Sequence, residues 1–495
     1  MSELIYIRPF NSVHDHISCS RGVAMELHEH FSFLVPNAQY DPRVKSRKWD
    51  GYIRLYSLNT SLLYAGLRPR VEEFARARDY LYNAPPEESE FSLIEAAADI
   101  QAMDLPLQPR DYQVEAFIHC IRKNRALVVS PTASGKSLLA HMLLKHYMRL
   151  SLIIVPSINL VEQMAKNLHE FGWSGDSVDT IYSEAKRRPD APVTISTWQS
   201  LMRAEDLTKF EVVIGDEAHG FKAKELKGIM ERLTTTRYRF GLTGTLDGTL
   251  TNKLVLEGLF GPVYQNVQTH ELISNQTLAS LRVKIIVLGH SEETRQVLAG
   301  MRRVPKGWEK NTEAKKRIYR DEQDIIISSV PRNRFLCNLA ASLKGNTILL
   351  FHFVEKHGRA LHAQLLRANP GRSIHYVAGE VDADAREHIR QIMMQEQNAI
   401  VVASDGTFAQ GVDIPSLQNV ILASPGKGRI RLLQSIGRGL RRTNGKSECT
   451  VFDISDDLSW RRWKNFSLRH LTERTKIYNQ ERFPYRIYRV ALKNA

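Results

Sequence analysis

Several absences narrow the field. The 495 residues contain only four cysteines, Cys19, Cys120, Cys337 and Cys449, widely spaced and with no CxxC pair. That spacing argues against a zinc-finger ligand set or a disulfide framework and fits a reducing compartment. No apolar run reaches the roughly 18 residues that a membrane span needs, so no membrane partner is expected. The opening MSELIYIRPFNS has no basic segment leading into an apolar one, so no secretory leader is expected either. Short-period repeats and low-complexity tracts are also missing. The composition, 43% hydrophobic and 25% charged, is that of a globular chain, and the length suits about three domains.

Positive charge is what the sequence has in excess. There are 68 basic and 54 acidic residues, a net charge of +14, which points to a polyanionic partner and most often to nucleic acid. The excess is unevenly placed. Residues 1–100 carry 11 basic and 14 acidic side chains, residues 295–320 carry 9 and 2, and residues 460–495 carry 10 and 2. Two short segments therefore account for the balance.

Residues 1–83 mix short strand-like runs with one helical stretch, VEEFARARDYLY, and predict a small α+β domain. PPEESE, Pro106 and Pro109 mark a boundary. Beyond it, short apolar runs alternate with helical segments: RALVVS, SLLAHMLLKHYMRL, SLIIVPS, NLVEQMAKNLHEF, then VTIST, EVVIGDE and YRFGLTGT. The same alternation resumes from NTILLFHF to RIRLLQSIGRGLRR. Alternation of this kind predicts βαβ units on parallel sheets, hence two similar α/β domains joined near residues 265–285. The expected divisions are a small domain over 1–100, a first motor domain over 101–270, a second over 271–455 with a basic excursion at 291–330, and a basic aromatic tail over 456–495.

Three motifs carry the chemistry. SPTASGKS (130–137) follows a strand and opens a helix, which is the setting of a phosphate-binding loop. Loop N–H groups and the helix N-terminus would hold phosphate oxygens. Lys136 would reach the β- and γ-phosphates, and the Ser137 hydroxyl would bind Mg²⁺. Ser130 stands where the general pattern has its first glycine, and Ala133 adds bulk. The second motif is DEAH, Asp216–His219, at the end of an apolar strand. Asp216 can hold Mg²⁺ through water, and Glu217 can take the proton of an attacking water. The third is QSIGRGLRR (434–442). Arg438 and Arg441 share a helix face and can act on a γ-phosphate, with Gln434 one turn earlier.

With these motifs in this order, residues 108–453 resemble the superfamily 2 helicases. QPRDYQ (108–113) is similar to the family's adenine-reading element, so Gln113 is expected on the base edge with Arg110 assisting. IIVPSINLVEQ (153–163) and TISTWQSL (194–201) are similar to strand-gripping motifs, and LTGT (242–245) to the coupling triplet. ILLFHF (348–353), YVAGE (376–380) and ASDGTFAQGVDIP (403–415) resemble the later motifs. The KWDGYIRL element (48–55), with PTASGKS, TWQ and YVAGEVD, resembles the UvsW-like branched-DNA helicases of T-even phages.

That resemblance implies an α/β architecture of two RecA-like parallel-sheet motor domains plus the small N-terminal α+β domain, with ATP between the motor domains and Mg²⁺ as cofactor. It places Arg110, Gln113, Thr132, Ala133, Ser134, Gly135, Lys136, Ser137, Gly411 and Asp413 at the nucleotide. Lys136, Asp216, Glu217, Gln434, Arg438 and Arg441 are the catalytic set, Ser137 and Asp216 the metal ligands, and His219, Thr243 and Thr245 the coupling residues. DNA would be held by Pro156, Ser157, Thr197, Gln199, His352, Gly379, Ser404 and Thr407. The implied activity is ATP-dependent unwinding or remodelling of forks and four-way junctions, 3′ to 5′, in the cytoplasm (the host's, if phage-encoded), with recombination or replication proteins as possible partners. A double-strand translocase that does not unwind and an RNA-remodelling helicase remain open.

Accessory grips are expected where basic and aromatic residues interleave, because an aromatic ring can stack on an unpaired base. Residues 41–54 surround Trp49 and Tyr52. The excursion offers Arg302, Arg303, Lys306 and Trp308, and the tail offers Trp460 and Trp463. Trp49 serves equally as small-domain core, and the tail tryptophans equally as packing for the tail helix.

Overall fold

The computed structural model describes residues 3–35, 38–86, 90–131, 134–182, 190–204, 206–218, 223–244, 246, 250–275, 279–302, 312–369, 371–378, 391, 395–405, 417–424 and 448–493. The chain divides into two compact units, Met1–Val267 and Gln268–Ala495.

The first unit begins with β1 (Leu4–Pro9), β2 (His14–Ser18), β3 (Ser32–Leu34), β4 (Tyr52–Arg54), β5 (Leu62–Tyr64) and β6 (Leu81–Asn83). Four of these form a sheet in the order β5-β2-β1-β6, and β3 pairs with β4. Side chains alternate across a strand, so Ile5 and Ile7 are buried while Leu4 and Tyr6 face out. The helices Arg21–His30 and Arg68–Arg76 cover the inner face with Val23, Leu27, Val71 and Phe74.

This small sheet is joined to the remainder of the unit. Ile5, Phe31 and Phe74 share one hydrophobic core with Val213, Leu256 and Phe260. The Tyr64 hydroxyl donates to Glu231 at 2.6 Å, Arg70 pairs with Glu257 at 3.1 Å, and Ser12 N–H donates to the Thr234 carbonyl at 3.0 Å. Gly66 lies so close to the backbone of Glu257, Gly258 and Gly261 that a Cβ there would collide with it. Residues 91–100, grouped with the small domain by the expected boundary at 100, pack elsewhere. Phe91 and Ile100 join the core that holds Phe117 and Leu139, and Asp99 pairs with His146.

The rest of the unit is a seven-stranded sheet: β7 (Arg125–Val129), β8 (Ser151–Val155), β9 (Val178–Ile181), β10 (Val193–Thr197), β11 (Val212–Asp216), β12 (Tyr238–Thr243) and β13 (Val263–Gln265), in the order β13-β7-β12-β11-β8-β10-β9. Every ladder is parallel. All residues of β8 and β10 are buried, as parallel strands covered on both faces must be.

The second unit carries another seven-stranded parallel sheet: β14 (Ser280–Gly289), β15 (Thr347–Phe351), β16 (Ile374–Val377), β17 (Ile400–Ser404), β18 (Asn419–Leu422), β19 (Glu448–Asp457) and β20 (Tyr485–Ala491), in the order β16-β17-β15-β18-β19-β14-β20. Two RecA-like parallel sheets with a small N-terminal sheet are therefore present.

Residues 456–495, expected as a separate basic tail, are built into the second unit. β20 runs parallel to β14, and the helix Phe466–Gln480 buries Arg474 and Tyr478 on Asp453, at 2.8 Å each. Part of the tail's positive charge is thus neutralised inside the fold. The excursion at 291–330 is likewise partly core. Leu298 and Ile326 of the helices Glu292–Met301 and Thr312–Ser328 pack with Leu458. The buried Glu322 carboxylate accepts from Asn465 Nδ2, Phe466 N and Ser467 N at 2.7–2.9 Å. Among the described residues no helix is long and apolar enough to cross a membrane.

Candidate active site

The carboxyl ends of β7, β12 and β11 lie side by side. Val129 aligns with Thr243 and Leu242 with Asp216, and Ser130 N–H donates to the Thr243 carbonyl at 2.9 Å. In parallel sheets, ligands bind outside these strand ends. The loop leaving β7 enters the helix Lys136–Tyr147 through Gly135, whose φ of 85° suits glycine. Lys136 Nζ donates back to the Ser130 and Pro131 carbonyls at 3.3 and 3.5 Å. The Ser137 hydroxyl accepts from Asn167 Nδ2 at 3.3 Å. Ser130, the departure from the usual glycine, donates its buried hydroxyl to Ser134 Oγ at 2.7 Å, so the extra atoms brace the loop. Thr132 and Ala133 lie outside the described residues.

Asp216 ends β11, and its Oδ1 accepts from Glu217 N at 2.9 Å. Burial, reinforced by the Glu217 carboxylate, pushes Asp216 up from 3.8 to about 6, against the pull of Lys136. Glu217 holds φ at 49°, a left-handed conformation that costs a non-glycine residue on the order of 1–3 kcal/mol and is concentrated at functional sites. Thr243 is buried at the end of β12, while His219 and Thr245 lie outside the described residues.

Gln113, expected on the base edge of a nucleotide, is buried against the loop. Its Oε1 accepts from Arg110 N at 2.9 Å, and its Nε2 donates to the Ser134 and Gly135 carbonyls at 3.1 and 3.2 Å. The Tyr112 hydroxyl donates to the same Ser134 carbonyl at 2.8 Å and accepts from Arg110 Nη1 at 2.9 Å. Asn266 Nδ2 in turn donates to the Tyr112 carbonyl at 2.9 Å. Tyr112, Asn167 and Asn266 were not anticipated. Only Tyr112 had a signal, its place inside QPRDYQ.

The strand-gripping candidates share this edge of the sheet. Pro156 and Ser157 follow β8, Thr197 ends β10 aligned with Val155, and Gln199 lies in the turn of helix after it. The Ser157 hydroxyl is covered and makes no hydrogen bond among the described residues. Thr197 Oγ1 accepts from Ser200 N at 3.4 Å.

In the second unit, Ser404 ends β17 opposite Phe351 of β15, and His352 follows at once. His352 N–H donates to Ser424 Oγ at 3.0 Å, and its ring lies 3.6 Å from Asp405. Gly379, Thr407, Gly411, Asp413, Gln434, Arg438 and Arg441 lie outside the described residues, as do Arg303, Lys306 and Trp308. Arg302, expected on DNA, stacks over the Trp463 ring at 3.6 Å. Burial and the nearby Arg469 lower its pKa. Trp463 packs on Leu298, Ile326 and Leu458, which settles it as a packing residue. Trp49 stays outside the small-domain core; its Nε1 donates to the Tyr52 carbonyl at 2.9 Å and Arg43 lies over its ring at 4.8 Å.

Three family descriptions match successive stretches of the chain. "DNA helicase UvsW, N-terminal" matches residues 5–83, "Type III restriction enzyme, res subunit" residues 106–248, and "Helicase conserved C-terminal domain" residues 331–443. The second stretch holds Lys136, Asp216 and Glu217, and the third holds His352, Ser404 and Arg438. The ATP-dependent DNA helicase uvsW of Enterobacteria phage T4 is 28% identical over 504 aligned positions, covering 95% of this chain and 96% of that one. The DNA 3′-5′ translocase XPB2 of Sulfurisphaera tokodaii is 25% identical, covering 68% of this chain and 79% of its own length. The crystal structure of T4 UvsW superposes with a TM-score of 0.51 at 27% identity over 100% of both chains.

Proposed function

We propose that this chain, a superfamily 2 helicase similar to the UvsW enzyme of phage T4, is an ATP-driven motor that unwinds or remodels branched DNA, regressing forks and migrating junctions 3′ to 5′. The observation that carries this reading is the convergence of the 130–137 loop, Asp216 and Thr243 on the ends of three neighbouring parallel strands.

Lys136 satisfies two loop carbonyls. A bound triphosphate offers its ammonium a charged partner in their place, while the loop N–H groups and the helix N-terminus hold the remaining phosphate charge. Glu217 accepts the proton of the attacking water. Gln113 and Tyr112 hold the loop in shape from behind, and Arg110 joins them. Ser137 and Asp216 fit Mg²⁺: a hydroxyl and a carboxylate are the hard oxygen donors the ion takes alongside phosphates and waters. Among the described residues no cluster of three His, Cys, Asp or Glu side chains forms a metal cage by itself. Burial, with the Glu217 carboxylate beside it, raises the pKa of Asp216, and a cation bound there would favour its ionised form. Bound there, Mg²⁺ would supply positive charge to the carboxylate and to the nucleotide phosphates. Resemblance assigns Gln434, Arg438 and Arg441 to the γ-phosphate, Gly411 and Asp413 to the nucleotide, and His219, Thr243 and Thr245 to coupling. Pro156, Ser157, Thr197 and Gln199 in one unit, and His352, Gly379, Ser404 and Thr407 in the other, take the DNA backbone, contacts that position a strand and carry no base code.

The test is ATP hydrolysis and strand remodelling across forks, four-way junctions, linear duplex, single strands and RNA. ATP-dependent conversion of forks and junctions is expected. Equal stimulation by RNA, or displacement of a triplex strand without any fork remodelling, would overturn the assignment.

A further inference from the structure

The motor chemistry leaves one basic groove unused. It lies in the second unit, has a volume of about 580 Å³, and is lined by Arg282 and Lys284 of β14, Glu448 of β19, and Tyr485, Arg486 and Tyr488 of β20. The strand registers explain why these side chains converge. Lys284 aligns with Arg486 on one side and Phe452 on the other, and Ile286 aligns with Tyr488. Alternate residues share a face, so Arg282, Lys284, Arg486 and Tyr488 stand together on one side of the sheet. Farther along β14 on that face, Ile286 and Leu288 are buried in the core with Leu336 and Ala340 of the helix Val330–Ser342. The groove opens where that cover ends.

Its charge is one-sided. Among its described lining residues Glu448 is the only acidic one and is taken by Arg282, with guanidinium–carboxylate distances of 3.2 Å. Lys284 lies over the Phe452 ring at 5.3 Å. Among the described residues neither Lys284 nor Arg486 has a carboxylate partner. Tyr488 is 41% exposed beside them, and β20 is the outermost strand of the sheet. Two unneutralised cations with the Tyr488 hydroxyl alongside are the kind of side chains that hold nucleic-acid phosphates. The groove is also displaced from the strand-end loops. β14 is four strands from β17 across the sheet, about 19 Å at the usual inter-strand spacing, and the groove lies on a face of the sheet, whereas Ser404 and His352 stand at its carboxyl edge.

We infer that this β14–β20 groove is a second DNA-backbone site, which holds the phosphates of a duplex arm other than the strand being translocated. The inference rests on the branched-DNA reading, since only a substrate with more than one arm supplies that second segment.

The experiment compares the wild-type protein with the double variant Lys284→Gln/Arg486→Gln and the single variant Arg486→Gln, which alters only an exposed side chain. Affinity for a four-way junction and for a linear single strand is measured without nucleotide across a salt series, alongside ATPase activity on the single strand. Each lost phosphate contact lowers the salt slope by about 0.9. The junction slope is expected to fall by nearly 2 in the double variant and nearly 1 in the single variant, with single-strand binding and ATPase unchanged and the slope restored by Lys284→Arg/Arg486→Lys. An unchanged junction slope in both variants would overturn the inference and leave the groove to an acidic protein partner. Equal losses on junction and single strand would also overturn it, by making the groove part of the translocation track. Failure of the branched-DNA reading registers separately, as wild-type protein that binds junctions but never remodels them with ATP.

Discussion

Gln113 Nε2 lies 3.1 Å from the Ser134 carbonyl and 3.2 Å from that of Gly135, so the amide is committed to the phosphate-binding loop itself. Gln113→Ala removes the amide's bonds to two loop carbonyls, which Tyr112 and Leu138 still satisfy, and its bond from the Arg110 N–H; each lost bond is worth roughly 0.5–1.5 kcal/mol. The loop then loosens for any nucleoside triphosphate. Steady-state kinetics should show KM rising alike for ATP and GTP. A change confined to ATP would mean that the amide turns to the base when nucleotide binds.

Lys136→Ala removes the ammonium proposed to meet the β- and γ-phosphates. DNA-stimulated ATPase should fall to background in a phosphate-release assay, while DNA binding in the absence of nucleotide stays near that of the wild type. Normal turnover in this variant would remove the phosphate-loop assignment and the functional reading with it.

His141 makes the motor core sensitive to acid. Trp173 Nε1 donates to His141 Nδ1 at 2.8 Å, so that nitrogen is an acceptor and the ring is neutral. Burial, with Lys145 nearby, lowers the ring's pKa from 6.5 to about 4. The unfolded chain therefore binds a proton that the folded chain refuses between those values, and stability falls as pH drops from about 6.5 towards 4. The slope is at most about 1.4 kcal/mol per pH unit. Urea unfolding followed by Trp173 fluorescence at stepped pH should show this slope, and His141→Gln should flatten it.

In the second unit Arg332 and Asp456 are fully buried at 2.7 Å, with His290 on the same carboxylate at 2.9 Å and the Ala423 carbonyl accepting from Arg332 at 2.6 Å. Burial works to raise the Asp456 pKa, but Arg332 and His290 outweigh it and hold it below 3.8. Asp456→Ala leaves the guanidinium buried without its anion, which should cost about 3–5 kcal/mol by chemical denaturation. Arg332→Met/Asp456→Leu should recover most of that loss. A double variant as unstable as the single would show that the pair contributes through more than its charges.

The parts legible in the sequence were those whose chemistry dictates residue type at fixed local spacing. The strand–loop–helix junction showed as an apolar run followed by a glycine-bearing segment before Lys136-Ser137, and the carboxylate pair at a strand end as an apolar run closing on Asp216-Glu217. Parallel sheets showed through buried strands such as SLIIV alternating with helical segments. Contacts between distant residues did not show. Arg332 meets Asp456 across 124 positions and Tyr64 meets Glu231 across 167, and nothing local marks either member. Charge counting misled for the same reason. Arg474 added to the tail's basic sum yet lies buried on Asp453, and Arg302, read as a DNA contact, spends its guanidinium face on Trp463.

The seam beneath Gly66 bears on how force travels. Backbone packs against backbone there, flanked by the Tyr64–Glu231 and Arg70–Glu257 links, so the N-terminal sheet has no hinge of its own. In the proposed motor it would ride as a bearing on the sheet that carries Lys136 and Asp216, and whatever it gripped would move with that sheet.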